Sequence, residues 1–178
     1  YEVVLTATTA KNCVDKDTQT VVIHAVPVAD FTTNNVCFGD TANFTNTSTI
    51  SSGNINFHWD FDDGTSNVTD TSPNYLYSSP GNYDVQLIVT SDKSCQDTTT
   101  KAVEIYPLPT VNLSFVNQCT NDTVAFTNTT TGAVNFSWDF GDGNTSSKAE
   151  PDHVYKKPGS YMVSLVATSV EGCIDSSS

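Results

Sequence analysis

The chain contains a single methionine, only seven lysines and arginines together, and 15% charged residues overall. So few long, unbranched and charged side chains argue against a helical protein, whose surface is usually built from them. Twenty acidic residues give a net charge of −13. No basic cluster is present to neutralise a phosphate backbone, so nucleic-acid binding is not expected. No apolar run is long enough to span a bilayer, and no basic stretch followed by an apolar one opens the chain. The five cysteines include no Cys-x-x-Cys pair, which speaks against a zinc site. Gly-x-Ser-x-Gly, His-Glu-x-x-His and phosphate-loop patterns are all missing, so catalysis is not expected.

What fills the chain instead is Thr, Ser and Asn at the polar positions and an even spread of aromatics, 10% of all residues. β-Branched Thr suits the solvent face of antiparallel strands, and the class expected is all-β. The sequence also matches itself. Tyr1, Cys13, Pro27, Cys37, Asp40 and Phe44 recur 82 positions later as Tyr83, Cys95, Pro109, Cys119, Asp122 and Phe126. Trp59 recurs at Trp138, Tyr83 at Tyr161 and Cys95 at Cys173, with small length changes between. A period of about 80 residues is the size of one small sandwich domain. The expected organisation is residues 1–26 as the last two strands of a preceding repeat, 27–106 as a complete repeat, and 107–178 as a second repeat without its final strand. The array is expected to continue past both ends.

Period-2 alternation marks the strands. Ile55, Phe57, Trp59 and Phe61 form one inward row, repeated by Val134, Phe136, Trp138 and Phe140. Tyr83, Val85, Leu87 and Val89 form another, repeated by Tyr161, Val163, Leu165 and Ala167. Asp63-Gly64, Asp142-Gly143, Pro80-Gly81 and Pro158-Gly159 supply turns between rows. Short strands with one inward face each describe a two-sheet sandwich.

Trp59-Asp60-Phe61-Asp62-Asp63-Gly64 and Trp138-Asp139-Phe140-Gly141-Asp142-Gly143 resemble the signature of the polycystic kidney disease (PKD) repeat. Pro151-x-His153-x-Tyr155 and Pro158-Gly159-x-Tyr161-x-Val163-x-Leu165 extend the resemblance. The first full copy departs from it in having Asp62 for Gly and Tyr75 for His. The resemblance implies tandem immunoglobulin-like β-sandwiches, used as spacers or interaction modules. The Phe44–Ser48 run and the Pro-Leu-Pro linker further resemble surface adhesins of Bacteroidetes, some of which act in gliding motility. On that analogy the chain is a non-catalytic stalk or filament segment, extracellular and at the cell surface. The alternative is a carbohydrate- or protein-binding module, including one accessory to a secreted hydrolase. The partners implied are neighbouring repeats and a surface glycan or protein.

Cys13, Cys95 and Cys173 share one place, the turn between the last two strands; Cys37 and Cys119 share another, after the first strand. In an immunoglobulin-like unit those places lie at opposite ends, about 20 Å apart across a six-residue strand. A disulfide needs Cα atoms within about 7 Å. A head-to-tail array brings Cys37 to Cys173 across the junction, leaving Cys13, Cys95 and Cys119 to partners outside the chain. Bridges inside one repeat and free thiols are the readings it competes with.

Some PKD-type domains bind calcium, so Asp60, Asp62, Asp63, Asp139 and Asp142, with Asp40 and Asp122, are candidate hard-oxygen ligands. Without an ordered ligand spacing, hydrogen-bonded turn carboxylates are the simpler expectation. Asn-x-Ser/Thr sequons fall at Asn43, Asn46, Asn67, Asn112, Asn121, Asn128, Asn135 and Asn144. Thr41, Thr98 and Thr123 lie in short Asp-Thr patterns that resemble Bacteroidetes O-glycosylation sites. His24 and His58 are expected at outward strand positions, and His153 as a packing residue in the place of Tyr75.

Overall fold

A computed structural model describes residues 1–65 and 68–178. All the regular structure in it is β, as the composition and alternation require. The chain forms two compact units that interleave along the sequence. One comprises Tyr1–Thr32, Phe44–Pro73 and Asp84–Lys101; the other comprises Thr33–Asn43, Asn74–Tyr83 and Ala102–Ser178. Among the described residues no helix is long and apolar enough to cross a membrane.

In the first unit, β1 (Glu2–Thr8) and β2 (Val14–Thr20) pair antiparallel, from Glu2 opposite Thr20 to Thr8 opposite Val14. The pairing runs one step further through Tyr1: the Val21 amide donates to the Tyr1 carbonyl at 2.8 Å. The apolar row of this hairpin is uncovered, with Val3, Leu5, Val21 and Ile23 all exposed. His24 lies beyond β2 and outside any strand, which corrects its expected place.

The next strands are β3 (Phe31–Thr32), β4 (Val36–Cys37), β5 (Ala42–Asn43), β6 (Thr45–Asn46) and β7 (Ile55–Asp60). They are followed by β8 (Asn74–Tyr75), β9 (Gly81–Ser91) and β10 (Gln96–Tyr106). One sheet has the order β4-β10-β9-β7; β3 pairs with β6 and β5 with β8. Within the first unit, β7 lies on β9 from Ile55 opposite Ser91 to Asp60 opposite Gln86. This register sends Trp59, Val85, Leu87 and Val89 fully inside. Phe31 meets Trp59 edge-on at 5.0 Å, and Phe44 packs on Phe61 at 5.1 Å. Burying one Trp stabilises by about 4–6 kcal/mol as an upper figure. Its indole N–H donates to the Asp70 carbonyl at 2.9 Å, so no polar group is stranded. At the edge, Lys101 bonds Asp30 at 2.7 Å, donates to the Phe31 carbonyl and lies over the Phe31 ring.

The second unit contains β11 (Leu113–Phe115), β12 (Thr123–Asn128), β13 (Asn135–Asp139) and β14 (Thr145–Ser146). It ends with β15 (Asp152–Val154), β16 (Ser164–Thr168) and β17 (Ile174–Ser177). The sheet orders are β11-β12-β15 and β14-β13-β16-β17. Val124, Phe126, Trp138, Phe140, Val163 and Leu165 form the core between them. Trp138 repeats the chemistry of Trp59: buried, with its N–H donated to the Lys148 carbonyl at 2.9 Å. The inward row expected over Val134–Phe140 begins later than the alternation implied. Val134 is 58% exposed, because it precedes β13 and nothing is packed over it.

Candidate functional site

Three hairpin turns of one design carry Cys13, Cys95 and Cys173. In each, a residue four places earlier binds the cysteine twice. Thr9, Ser91 and Ser169 donate their amides to the cysteine carbonyl at 2.8–2.9 Å. Their hydroxyl oxygens accept the cysteine amide at 3.0–3.2 Å. The residue before each cysteine has positive φ, at Asn12, Ser94 and Gly172. Such φ suits Gly and is tolerated by Asn. Cys37 and Cys119 occupy a second shared turn. Asp40 and Asp122 donate their amides back to the Cys37 and Cys119 carbonyls, with Gly39 and Asn121 at positive φ.

Cys37 is also held by sheet pairing. β4 runs parallel to the end of β10, with Val36 opposite Ile105 and Cys37 opposite Tyr106, and Phe38 donates to the Tyr106 carbonyl at 2.8 Å. Asn35 adds a bond to the Tyr106 hydroxyl and accepts the Glu104 amide. Cys173 is buried, and its sulfur is bonded to that of Cys37 with Cα atoms 5.6 Å apart. The bond therefore joins sequence positions 136 residues apart, both within the second compact unit. Cys13, Cys95 and Cys119 form no disulfide with one another or with the bonded pair; Cys13 and Cys119 are exposed and Cys95 is half-buried.

The signature carboxylates bind their own turns. Asp60 accepts the Asp62 amide at 3.0 Å, and Asp63 accepts the Thr65 amide at 3.1 Å and its hydroxyl at 2.7 Å. Asp139 accepts the Gly141 amide at 2.8 Å, and Asp142 the Asn144 amide at 3.1 Å. Asp62 accepts the Asp84 amide at 3.0 Å. Asp40 and Asp122 are exposed, each at the end of its cysteine turn. Among the described residues no three His, Cys, Asp or Glu side chains gather in a metal-holding group.

His153 does pack, stacked on Phe140 at 4.3 Å and edge-on to Tyr155 at 4.6 Å. The sequence reading missed its partner: Nε2 lies 2.8 Å from an Asp142 carboxylate oxygen. Two residues eleven apart, Asp142 in a turn and His153 on β15, gave no local signal for that pair. Burial works to raise the Asp142 carboxyl, but hydrogen bonds from His153 and Asn144 outweigh it and hold it below the usual range. Burial, then the Asp142 charge, push the Tyr155 hydroxyl upward. Lys101 and the Phe31 amide hold Asp30 low in the first unit. His58, expected to point outward, is half-buried on β7.

Thr41, Thr98 and Thr123 are exposed. The sequon residues Asn43, Asn112, Asn121, Asn135 and Asn144 are exposed, and Asn46 and Asn128 are half-buried; Asn67 lies outside the described residues.

Residues 24–105 and 108–178 each match the family model described as PKD domain. Over 39 residues the chain is 49% identical to the collagenase ColQ1 of Bacillus cereus, covering 22% of this chain and 4% of that protein. It is 48% identical over 42 residues to the pre-pro-metalloprotease PrtV of Vibrio cholerae, covering 24% of this chain and 5% of that one. The chain thus spans only a small fraction of the length of these relatives. Among solved structures, the PKD1 domain of Vibrio cholerae PrtV is 34% identical, with a TM-score of 0.42, over 46% of this chain and 98% of that one. The PKD1 domain of Vibrio anguillarum Epp is 29% identical, with a TM-score of 0.43, over 46% and 95%.

Proposed function

Because this chain belongs to the PKD domain family, we propose that it is a non-catalytic, extracellular spacer: a force-bearing segment of a stalk or filament. The observation that carries the reading is the Cys37–Cys173 bond, which links the first matched segment to the second. A disulfide of this kind suits an oxidising, extracellular setting. Tension applied between Tyr1 and Ser178 would bypass the residues between the two cysteines, so most of both repeats would be shielded from load. The finer assignment is a Bacteroidetes-type surface adhesin, of the sort used in gliding. Its support is the tandem repetition and the linker composition.

Single-molecule pulling tests this. Intact, the chain withholds the roughly 480 Å of contour that 136 residues would release; after reduction that length appears. Full-length extension of the unreduced chain would remove the force-bearing role.

A second reading is supported by the matches to a collagenase and a metalloprotease. In it the same array is an accessory module of a secreted hydrolase, binding protein or carbohydrate through exposed loops. Co-sedimentation with insoluble collagen or polysaccharide separates the two: the spacer stays in solution, and the accessory module pellets.

A further inference from the structure

The two halves of the Cys37–Cys173 bond lie in different settings. Cys173 is 1% exposed, whereas Cys37 is half-buried and opens a turn that faces solvent. Gly39 and Asp40 in that turn are exposed, and a Cβ built on Gly39 would meet no atom within 4 Å. The Cys37 backbone is nevertheless held in place. It pairs with Tyr106 in the sheet, and its carbonyl accepts the Asp40 amide at 3.0 Å. A nucleophile from solvent therefore has an approach on the Cys37 side and none on the Cys173 side.

Charge separates the Cys173 turn from the two turns built like it. Two places before Cys13 and Cys95 stand lysines, Lys11 and Lys93; two places before Cys173 stands Glu171. Glu171 is the one charged side chain between Ser169 and Cys173. Its carboxylate accepts the Ser169 hydroxyl at 2.9 Å, and the same hydroxyl oxygen accepts the Cys173 amide at 3.2 Å. The acid is thus fastened, through one serine, to the backbone of the bonded cysteine. A thiolate is favoured beside a cation and disfavoured beside an anion or in an apolar enclosure. A sulfur leaving at Cys173 would meet both penalties.

From these two contrasts we propose that Cys37 is the site at which small thiols enter the bond, forming a mixed disulfide there, and that Glu171 keeps the exchange slow. The attacking thiolate bonds to Cys37 Sγ and the Cys37–Cys173 bond breaks. Its electron pair leaves on Cys173 Sγ, which takes a proton from water. A second thiolate then attacks the small thiol's sulfur in the mixed disulfide. Cys37 leaves as a thiolate, is protonated in turn, and the small thiol departs as its own disulfide. Cys173 competes with that second step. With Cα atoms 5.6 Å apart it stays within reach of Cys37, and its return expels the small thiol and restores the bond. Slow entry through one sulfur keeps the bond closed against traces of thiol and lets a strongly reducing setting open it. Exchange of this kind holds whether or not the chain bears load, so it stands apart from the spacer reading.

The test uses the 178-residue chain with Cys13, Cys95 and Cys119 first capped by iodoacetamide. The probe is 2-mercaptoethanol, which carries no charge besides its thiolate, at about 150 mM salt to screen the net charge of −13. Samples are stopped with acid at intervals and their peptides mapped by mass. The adduct is expected on Cys37, and the initial rate should rise in proportion to the thiol. Glu171→Gln, which keeps a partner for Ser169 and removes the charge, should speed exchange about twofold. Glu171→Lys, which installs the residue of the other two turns, should speed it about fivefold. Glu171 is exposed, so neither change puts the fold at risk. An adduct on Cys173 overturns the assigned site. A rate independent of thiol concentration overturns it too, since the bond would then open only when the fold does. Equal rates in the parent and both variants overturn the role of Glu171.

Discussion

The two repeats fill their centres in one way and close their ends in two. Each buries a Trp whose N–H is donated to a loop carbonyl at 2.9 Å, and each stacks a pair of tyrosines, Tyr77 on Tyr83 and Tyr155 on Tyr161. At the end, however, β9 and β10 are eleven residues each, whereas β16 and β17 have five and four. The centre of each sandwich is thus set by its signature row, while the length of the strands around it differs between the two repeats. The second repeat carries two further ties, the Cys173 bond and the Asp142–His153 pair.

The largest expected effect comes from removing the bond. Closing a loop across 136 residues is worth about 5 kcal/mol on chain entropy alone, and strain or residual structure brings this nearer 3. Cys37→Ser with Cys173→Ser should therefore lower the melting temperature, with the second repeat melting first. Calorimetry resolving two transitions would show it. A single unshifted transition would mean that the bond does not support the repeat.

Trp59→Ala and Trp138→Ala come next, each costing about 3–5 kcal/mol. Trp138→Ala should leave the second repeat unfolded at 25 °C, while Trp59→Ala leaves a weakened but folded first repeat, because the longer β9–β10 pair has more to lose before it melts. Calorimetry resolving the two repeats' transitions in each variant reads this, with the remaining Trp reporting on the unmutated repeat as the internal control. Equal midpoints would contradict the advantage given to the longer β9.

Much of this contrast was legible in the sequence, for reasons that differ by residue. Trp59, Phe61, Trp138 and Phe140 announce themselves by alternation, since a strand sends every second side chain to one face. The Cys37–Cys173 pairing was favoured in the sequence because turn positions at opposite ends of a sandwich disfavour a bridge within it, although bridges within a repeat and free thiols stayed open. The His153–Asp142 pair was not legible. It depends on which turn meets which strand in space, and no local pattern encodes that. Val134 misled for the opposite reason: alternation continued one step past the point where anything lay opposite it.

A smaller effect tests one of the first copy's two departures from the signature, Asp62 in the place of Gly141. At Gly141 an added Cβ would stand 2.4 Å from the Met162 carbonyl oxygen and 2.9 Å from its nitrogen. The counterpart Asp62 has φ of 60° and accepts the Asp84 amide. The Gly141→Asp variant should cost about 1–3 kcal/mol, and Asp62→Gly about 1 kcal/mol or less. Urea midpoints of the two variants check the asymmetry. Equal losses would show that the loop shifts freely in both repeats.

The smallest expected effect is acid sensitivity, which asks whether the two repeats hold their edges alike. Asp30, beside Lys101, and Asp142, beside His153, both sit below the usual carboxylate value in the folded chain. A depressed folded value means the unfolded chain takes up the proton first as pH falls. The stabilisation is thus complete above the unfolded value near 3.8 and is lost as pH drops through the folded one. Both repeats should weaken below about pH 4. Asp142→Asn should flatten that slope only in the second repeat, and Asp30→Asn only in the first. Melting temperatures of the parent and both variants at pH 5 and pH 3 measure it. If Asp142→Asn leaves the slope unchanged, the His153 contact is packing against Phe140 and Tyr155 and not an ionic tie.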